Sequence, residues 1–381
     1  MRRGEEAMVP EAEFRSYYGQ PIIKAPIWHE PHMPLYLYLG GTSGAASVIS
    51  AVATVTGHDR LALTARVTAA AGAAAGAGFL VAELGRPERF LNMLRVFKPT
   101  SPMSVGSWLL AAHSGLTALA AASALAAARP GPQIPAGSFP RLPDRSGPRI
   151  PLRSFPRLPA GSGPRLLARS SPRIPDRSGP RIPVLPVRGA RALAALGDAA
   201  ALAAVVTGPL MSTYTAVLVA DTAVPAWHEA HRELPFLFAG SALAGAGAVG
   251  MLATPRREAG PARVAAILGA AVETVAGAVM EHRLGLVGEP YRLGRSGRLM
   301  RAARALTVGG ALLATVAGRG SALGALTALS GLALTAGAVC TRFGVLAAGK
   351  ASAADPKYTV VPQRERLEAG RAARVPAGEK S

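Results

Sequence analysis

The stretch LYLYLGGTSGAASVISAVATVT, residues Leu35–Thr56, decides the fold class of this chain. It carries no charged side chain, and its length is close to the roughly 20 apolar residues with which a helix crosses the hydrocarbon core of a bilayer. Similar apolar stretches recur along the sequence at Leu61–Ala82, Val105–Ala128, Ala199–Ala220, Leu234–Ala253, Val264–Met280, Ala302–Gly318 and Ala322–Val345. The pattern predicts an all-α polytopic protein of the cell membrane, with about eight transmembrane helices in two four-helix bundles.

The composition agrees with a membrane protein and argues against a nucleic-acid-binding one. Half of the residues are hydrophobic and only 17% are charged, yet the formal net charge is +20. Much of this charge lies in the loops, where anionic membrane lipids and partner subunits are the expected counterparts. No segment resembles a nucleic-acid-binding module, so we expect no nucleic acid partner.

Few residues of this chain could bind a redox metal. Cys340 is the single cysteine, and one thiol cannot hold an iron–sulfur cluster or build a cysteine-based zinc site. Of the seven histidines only His113 lies well inside an apolar stretch, whereas a transmembrane haem needs two facing histidines. The sequence therefore predicts no metal bound by this chain.

The segment between the third and fourth stretches has a different character. It repeats with a period of eight residues, and DRSGPRIP occurs at 144–151 and again at 176–183. Two or more prolines per unit prevent a regular helix or a central strand, so we expect disorder. A lipid-surface or partner-binding arm is one interpretation, and an expanded repeat without a specific role is the favoured one. The chain divides into an N-terminal interfacial segment (1–33), helices 1–3 (34–128), the repeat (129–190), helices 4–8 (191–347) and a polar tail (348–381).

Three loop sequences carry a family resemblance. They are WHEPHMPLYLYLGG before the first stretch, LGRPERFLNMLRVFKPTSPMS after the second, and AWHEAHRELPF after the fourth. With these loops the chain resembles the NrfD/PsrC-like family, which contains the membrane subunit of polysulphide reductase. The resemblance covers roughly Met8–Arg129 and Arg191–Leu346.

The resemblance implies a fold, a cofactor and partners. Members of the family have eight spans and no metal of their own, and they bind quinone or quinol near one membrane face. A ferredoxin-like iron–sulfur subunit lies next to them and exchanges electrons with a molybdopterin catalytic subunit. The resemblance therefore implies a membrane anchor that passes electrons between the quinone pool and the iron–sulfur partner. Menaquinone and ubiquinone remain equally open.

Six side chains are candidates for a quinone site, because quinone chemistry needs hydrogen-bond partners and a titratable proton route. Antiparallel helices bring the start of the first span and the end of the second to one face, and by span counting the end of the fourth also lies there. The six that could meet in one pocket are Glu30, His32, Tyr36, Glu83, Tyr214 and Asp221. The proton-handling residue is left open between Glu30 and His32. Tyr36 could instead belong to an aromatic belt, and Glu83 could form a structural ion pair with a nearby arginine.

Two ionisable residues lie deeper in the predicted spans. Glu273 is about ten residues into the sixth span, where a charge is costly. It is predicted to be a neutral buried carboxyl or a member of a proton relay, with a hydrogen bond to a neighbouring span as the alternative. For His113 a structural role is the favoured interpretation.

The charged loops of one face are predicted to dock the iron–sulfur subunit, with a headgroup-binding face as the alternative. They comprise Arg86, Glu88, Arg89, Arg95, Lys98, Trp227, Arg232, Glu233 and the segment Glu289–Arg304. A different class of function, a proton- or ion-conducting transporter without redox chemistry, predicts paired ionisable residues in mid-membrane and broken helices. A purely structural anchor is the third interpretation. The distribution of lysine and arginine leaves the membrane orientation open.

Overall fold

The computed structural model describes residues 22–86, 88–128, 187–317 and 324–372, and the regular elements in these ranges are all helical. A 3-10 turn at Gly285–Gly288 accompanies the α-helices. In chain order the α-helices are α1 (His32–Val55), α2 (Asp59–Glu83), α3 (Glu88–Asn92), α4 (Pro102–Ala128), α5 (Val187–Ala220), α6 (Pro225–Glu229), α7 (Leu234–Ala253), α8 (Gly260–Arg283), α9 (Glu289–Arg292), α10 (Gly294–Ala317), α11 (Gly324–Ala354) and α12 (Lys357–Ala372).

Eight of the described helices are long and apolar enough to cross a membrane: α1, α2, α4, α5, α7, α8, α10 and α11. They coincide with the eight predicted stretches, so the predicted multi-pass membrane protein is confirmed. Several helices extend beyond the apolar residues, and α11 continues to Ala354, past the predicted start of the polar tail. A helix can continue into the headgroup region because its backbone hydrogen bonds are satisfied within the helix. Most of the predicted repeat loop lies outside the described residues.

The eight spans form the two predicted four-helix bundles. In the first bundle α1 packs on α2 and α5, and α4 packs on the other side of the same two helices. In the second bundle α7 packs on α8 and α11, and α10 closes the ring between them. Helix α1 also contacts α7 and α11, so it joins the two bundles.

Glycines let these helices approach each other closely. A Cβ atom built on Gly44 of α1 would lie 2.2 Å from the carbonyl oxygen of Gly208 on α5. A Cβ atom on Gly240 of α7 would likewise lie 2.8 Å from the carbonyl oxygen of Gly269 on α8. Association of membrane helices depends on van der Waals packing of this kind, because lipid gives no hydrophobic drive between them.

The antiparallel order of the spans collects the connections of interest on one side. The ends of α2, α5, α8 and α11, together with the short helices α3, α6, α9 and α12, lie at the membrane face where α1 begins. We call this side face A, and the side of the loop 254–259 the opposite face. The predicted site and the predicted docking loops therefore belong to face A.

Candidate functional site

An aromatic stack holds the segment that precedes α1. The ring of Trp28 stacks on that of Trp227 in α6, with centroids 5.2 Å apart. Trp227 is fully buried, and its indole N–H donates to the carbonyl oxygen of Val345 on α11 at 2.7 Å. Because Trp227 is buried, it cannot contact a partner, and the predicted docking surface does not include it. Its role is to tie the N-terminal segment to the second bundle.

The anchored segment reaches Glu83 at the end of α2. The Glu83 Oε1 atom accepts the backbone N–H of His29 at 2.8 Å, and the His29 Nδ1 atom lies 3.3 Å away. The Oε2 atom lies 3.7 Å from the Nδ1 atom of His32, which is too far for a hydrogen bond. Oε2 is buried and has no hydrogen-bond partner among the described residues. Of the two arginines that could form the alternative ion pair, Arg86 is exposed and forms no described ion pair with this carboxylate, and the side chain of Arg89 lies outside the described residues. Among the described residues, Glu83 is therefore paired through only one of its two oxygens.

Two tyrosines lie one turn deeper. The hydroxyls of Tyr36 on α1 and Tyr214 on α5 are close enough to interact. The ring of Tyr214 lies directly on α4, where a Cβ atom at Gly106 would be 1.8 Å from the ring Cζ atom. A belt residue faces lipid, whereas Tyr36 is only 2% exposed. His32, Tyr36, Glu83 and Tyr214 thus converge where the four helices of the first bundle meet face A, and we call these four residues the interfacial site.

The other two candidates lie elsewhere on face A. Glu30 accepts a hydrogen bond from Arg295 Nη2 at 2.6 Å and lines a separate cleft beside the start of α10. Asp221 is exposed at the end of α5, where it lines a cleft of about 540 Å³ between α6 and α12. The structure therefore does not bring all six predicted side chains into one pocket. The paths of the loops decide where on face A the Glu30 and Asp221 side chains lie, and counting spans predicts only the face.

Glu273 belongs to the second bundle. Its side chain is buried on α8, where Oε1 accepts the hydroxyl of Thr341 at 2.5 Å and Oε2 accepts that of Thr307 at 3.3 Å. Nearby on α11 is Arg342, which is 0% exposed. We call Glu273, Arg342 and the hydroxyls around them the core cluster.

His113 has the hydrogen bonds of a structural histidine. The Ser43 hydroxyl donates to the carbonyl oxygen of Ala69 at 2.6 Å, so its oxygen accepts the Nε2–H of His113 at 3.0 Å. The remaining Nδ1 atom then accepts the Thr207 hydroxyl at 2.8 Å. Both ring nitrogens are satisfied in the neutral imidazole, and the side chain links α1, α4 and α5.

Sequence reasoning missed three positions that shape the interfacial site and the core cluster. His29 supplies the backbone donor to Glu83, and Gly106 makes room for Tyr214. Arg342 lies inside the predicted last span, where burying a charged side chain costs free energy, so an arginine there indicates a specific role. Its position alone could have identified it, whereas His29 and Gly106 required the packing of the helices.

These features define a multi-pass membrane protein with a carboxylate at one membrane face whose buried Oε2 atom has no hydrogen-bond partner among the described residues. Among the described residues no group of three or more His, Cys, Asp or Glu side chains is placed to hold a metal ion. The sequence profile described as "Polysulphide reductase, NrfD" matches residues 23–280, which is more than half of the chain. The chain therefore belongs to the NrfD family, whose members are membrane subunits of molybdoenzyme complexes. No curated protein matches it.

Proposed function

We propose that this chain is the membrane anchor and quinone-reactive subunit of a multisubunit molybdopterin and iron–sulfur oxidoreductase. It would pass electrons between quinone or quinol and a ferredoxin-like partner subunit. The observation that carries the proposal is the buried Glu83 Oε2 atom, which has no described hydrogen-bond partner. A buried carboxylate oxygen without a partner is costly, unless a ligand or water supplies the missing hydrogen bond.

The residues of the interfacial site fit a quinone headgroup. A bound quinone supplies two-electron chemistry that is coupled to two protons. Glu83 Oε2 is an acceptor for a hydroxyl, and the His32 imidazole can donate or accept at the same place. The phenol pair of Tyr36 and Tyr214 closes the inner end and offers a further hydroxyl donor.

The same side chains can hold and move protons. The backbone N–H of His29 orients the Glu83 carboxylate by holding Oε1, which leaves Oε2 free to take a proton. The His32 Nδ1 atom, 3.7 Å from Oε2, belongs to a side chain that is 39% exposed, so it can pass a proton to water at face A. Between the two open candidates this geometry favours His32, because Glu30 is engaged by Arg295.

Cations on face A support the proposed attachment of the iron–sulfur subunit. Several exposed basic side chains have no described carboxylate partner, so they are free to meet acidic groups of a partner or lipid headgroups: Arg86, Arg95, Lys98, Arg232 and Arg298. Such charges set the register and orientation of an interface more than its affinity. The molybdopterin subunit would attach through the iron–sulfur subunit.

Replacing Glu83 tests the quinone site. Glu83→Gln keeps the size of the side chain but removes its proton chemistry, so quinol-linked turnover of the purified complex should fall about 100-fold. Glu365→Gln, an exposed carboxyl of α12 on the same face, is the matched control and should leave turnover unchanged. Wild-type turnover in the Glu83→Gln complex, with its subunits intact, would refute the assignment.

The transporter is the second candidate function, and one observation favours it. Glu273 and Arg342 are ionisable residues near each other in mid-membrane, as a transporter predicts. Against it, α8 and α11 are continuous helices rather than broken ones. Purification in mild detergent separates the two: recovery with iron–sulfur and molybdopterin proteins supports the oxidoreductase, and recovery alone without quinone supports the transporter.

A further inference from the structure

Unpaired buried polar atoms concentrate in the core cluster. In the described part of the chain, eleven buried side-chain nitrogen or oxygen atoms have no hydrogen-bond partner. Five of them lie on the neighbouring helices α1, α7 and α11, near Tyr38 or Glu273, and they are Arg342 Nε, Arg342 Nη1, Ser241 Oγ, Thr42 Oγ1 and Thr335 Oγ1. Native structures leave few such atoms, so this concentration indicates a site that another molecule completes.

Arg342 is the centre of this group. Its Nη2 atom donates to the carbonyl oxygen of Phe238 at 2.9 Å, and its Cζ atom lies 3.8 Å from the centroid of the Phe238 ring. The hydroxyl of Tyr38 lies nearby and approaches Thr42 and Thr335 outside good hydrogen-bonding geometry. An arginine buried in a membrane bundle needs its donors satisfied, and ordered water is a ligand that can satisfy them.

Glu273 lies near Arg342. Thr341 and Arg342 face its carboxyl from α11, Thr307 from α10 and Ser241 from α7. Only threonine hydroxyls bond it directly, and Arg342 acts on it from a longer distance. A cavity of about 20 Å³ adjoins the carboxyl, which is room for one water molecule.

This cavity leads toward face A. Arg304 forms part of its lining and makes an ion pair with Glu281 at 2.5 Å, and both side chains are partly exposed. On the other side of the cluster, Leu334 and Ala314 are fully buried apolar residues in a tightly packed layer. The cavity therefore extends from Glu273 toward face A and not toward the opposite face.

We propose that the core cluster is a hydrated internal proton-exchange site, in which Glu273 takes up and releases one proton through face A. On release, the proton leaves a carboxyl oxygen of Glu273 for the water in the cavity and passes to the Glu281 carboxylate and then to solvent. Uptake follows the reverse order. Arg342 balances the charge that the deprotonated carboxyl acquires.

Infrared difference spectroscopy of the purified full-length chain in lipid nanodiscs tests the site without quinone or partners. A protonated-carboxyl C=O band should appear and disappear across a pH titration, and Glu273→Gln should lack it. Glu233→Gln, which alters another buried carboxyl, should keep it. Absence of a titrating band, or its persistence in Glu273→Gln, would overturn the proposal. If Glu273→Gln does not fold, Glu273→Asp should keep the band at a shifted frequency, and an unshifted band counts against it.

The route has its own test. After mixing with D₂O, the Glu273 band should shift as the carboxyl exchanges its proton for deuterium. Glu281→Gln should lower the rate of this exchange about tenfold or more. Glu258→Gln, on the opposite face, is the matched control and should leave the rate unchanged. The converse pattern would contradict access from face A. In Arg342→Gln the carboxyl should keep its proton at alkaline pH, and a titration like that of the wild type would contradict the charge pairing.

Discussion

Face A and the core cluster hold their carboxylates in different ways. At face A the carboxylates of Glu30, Glu233, Glu281 and Glu289 each bond directly to an arginine or lysine side chain. In the core, Glu273 bonds only to threonine hydroxyls, and the nearest cation acts from farther away. Long side chains near the interface can turn to meet each other and are partly hydrated. Between rigid helices, only side chains whose Cβ atoms already face one another can pair.

The difference in environment also sets the energies. A charge in the core has little water to compensate it, so removing one member of a pair leaves the other exposed to the full desolvation cost. At face A water and salt screen the same loss. We therefore expect effects of substitution to fall from the core cluster to the surface of face A, and the following predictions test that order.

The largest effect is expected at Arg342. Arg342→Met should lower the free energy of unfolding by about 3–5 kcal/mol, because it removes the counter-charge of Glu273 and the donor to the buried carbonyl oxygen of Phe238. Unfolding in mixed detergent micelles measures this. Arg232→Met, an exposed arginine without a described partner, is the control and should change it by less than about 0.5 kcal/mol. Equal stabilities of the two variants would contradict the expected difference between the core cluster and face A.

Packing at the interfacial site should give the next largest effect. Gly106→Ala places a methyl group into the Tyr214 ring, so it should cost about 2 kcal/mol and displace the phenol pair. Gly115→Ala on the same helix has open space around the new Cβ atom and should be neutral or stabilising. Melting temperatures of the two variants compare them directly, and similar values would exclude the close contact with Tyr214.

An ion pair at face A should contribute less and depend on salt. Arg283 donates from Nε and Nη2 to the two oxygens of Glu233 at 2.5 and 2.6 Å, but its side chain is partly exposed. Glu233→Gln should therefore cost only about 1 kcal/mol at low ionic strength. Stability measured at low salt and at 1 M salt should show this cost shrinking, while the cost of Arg342→Met stays. If the loss of stability in Glu233→Gln did not depend on salt, the Glu233–Arg283 pair would behave like the buried charges of the core cluster.

The smallest effect is expected at α12 and should depend on pH. The Lys357 ammonium holds the pKa of the partly exposed Glu289 carboxyl below its usual range, and the carboxyl raises the pKa of Lys357. Attachment of α12 to α9 is therefore complete above the usual glutamate range, near about 4.3, and is lost as the pH falls through the lowered pKa. On the alkaline side it is lost only as the pH rises through the raised lysine pKa.

Hydrogen exchange of the α12 amides measures this attachment. Protection relative to α11 should be constant at neutral pH and should decrease in acid, once the intrinsic exchange rates are corrected for pH. Lys357→Met removes the partner of Glu289, so it should give lower protection that no longer changes in acid. An unchanged acid dependence in that variant would assign the effect to another group.

Some of the interfacial site could be predicted from sequence and some could not. Glu83 and His32 were predicted to lie at one face because two antiparallel spans must bring them there, and the structure has them 3.7 Å apart. Glu30 is two residues from His32 but turns toward Arg295 on α10. Such a choice depends on the path of a loop and on a partner 265 residues away in sequence. No local pattern contains that information.

The sequence by itself determined that the chain lies in a membrane, how many spans it has and to which family it belongs. The length of each apolar segment must match the thickness of the bilayer, and this constraint acts on each segment separately. The loop motifs can likewise be recognised one at a time. The tertiary structure alone decided that Glu273 lies near Arg342, that Tyr214 lies on Gly106, and that Trp227 is buried. These contacts join helices far apart in the chain, and they depend on how backbones pack at close range.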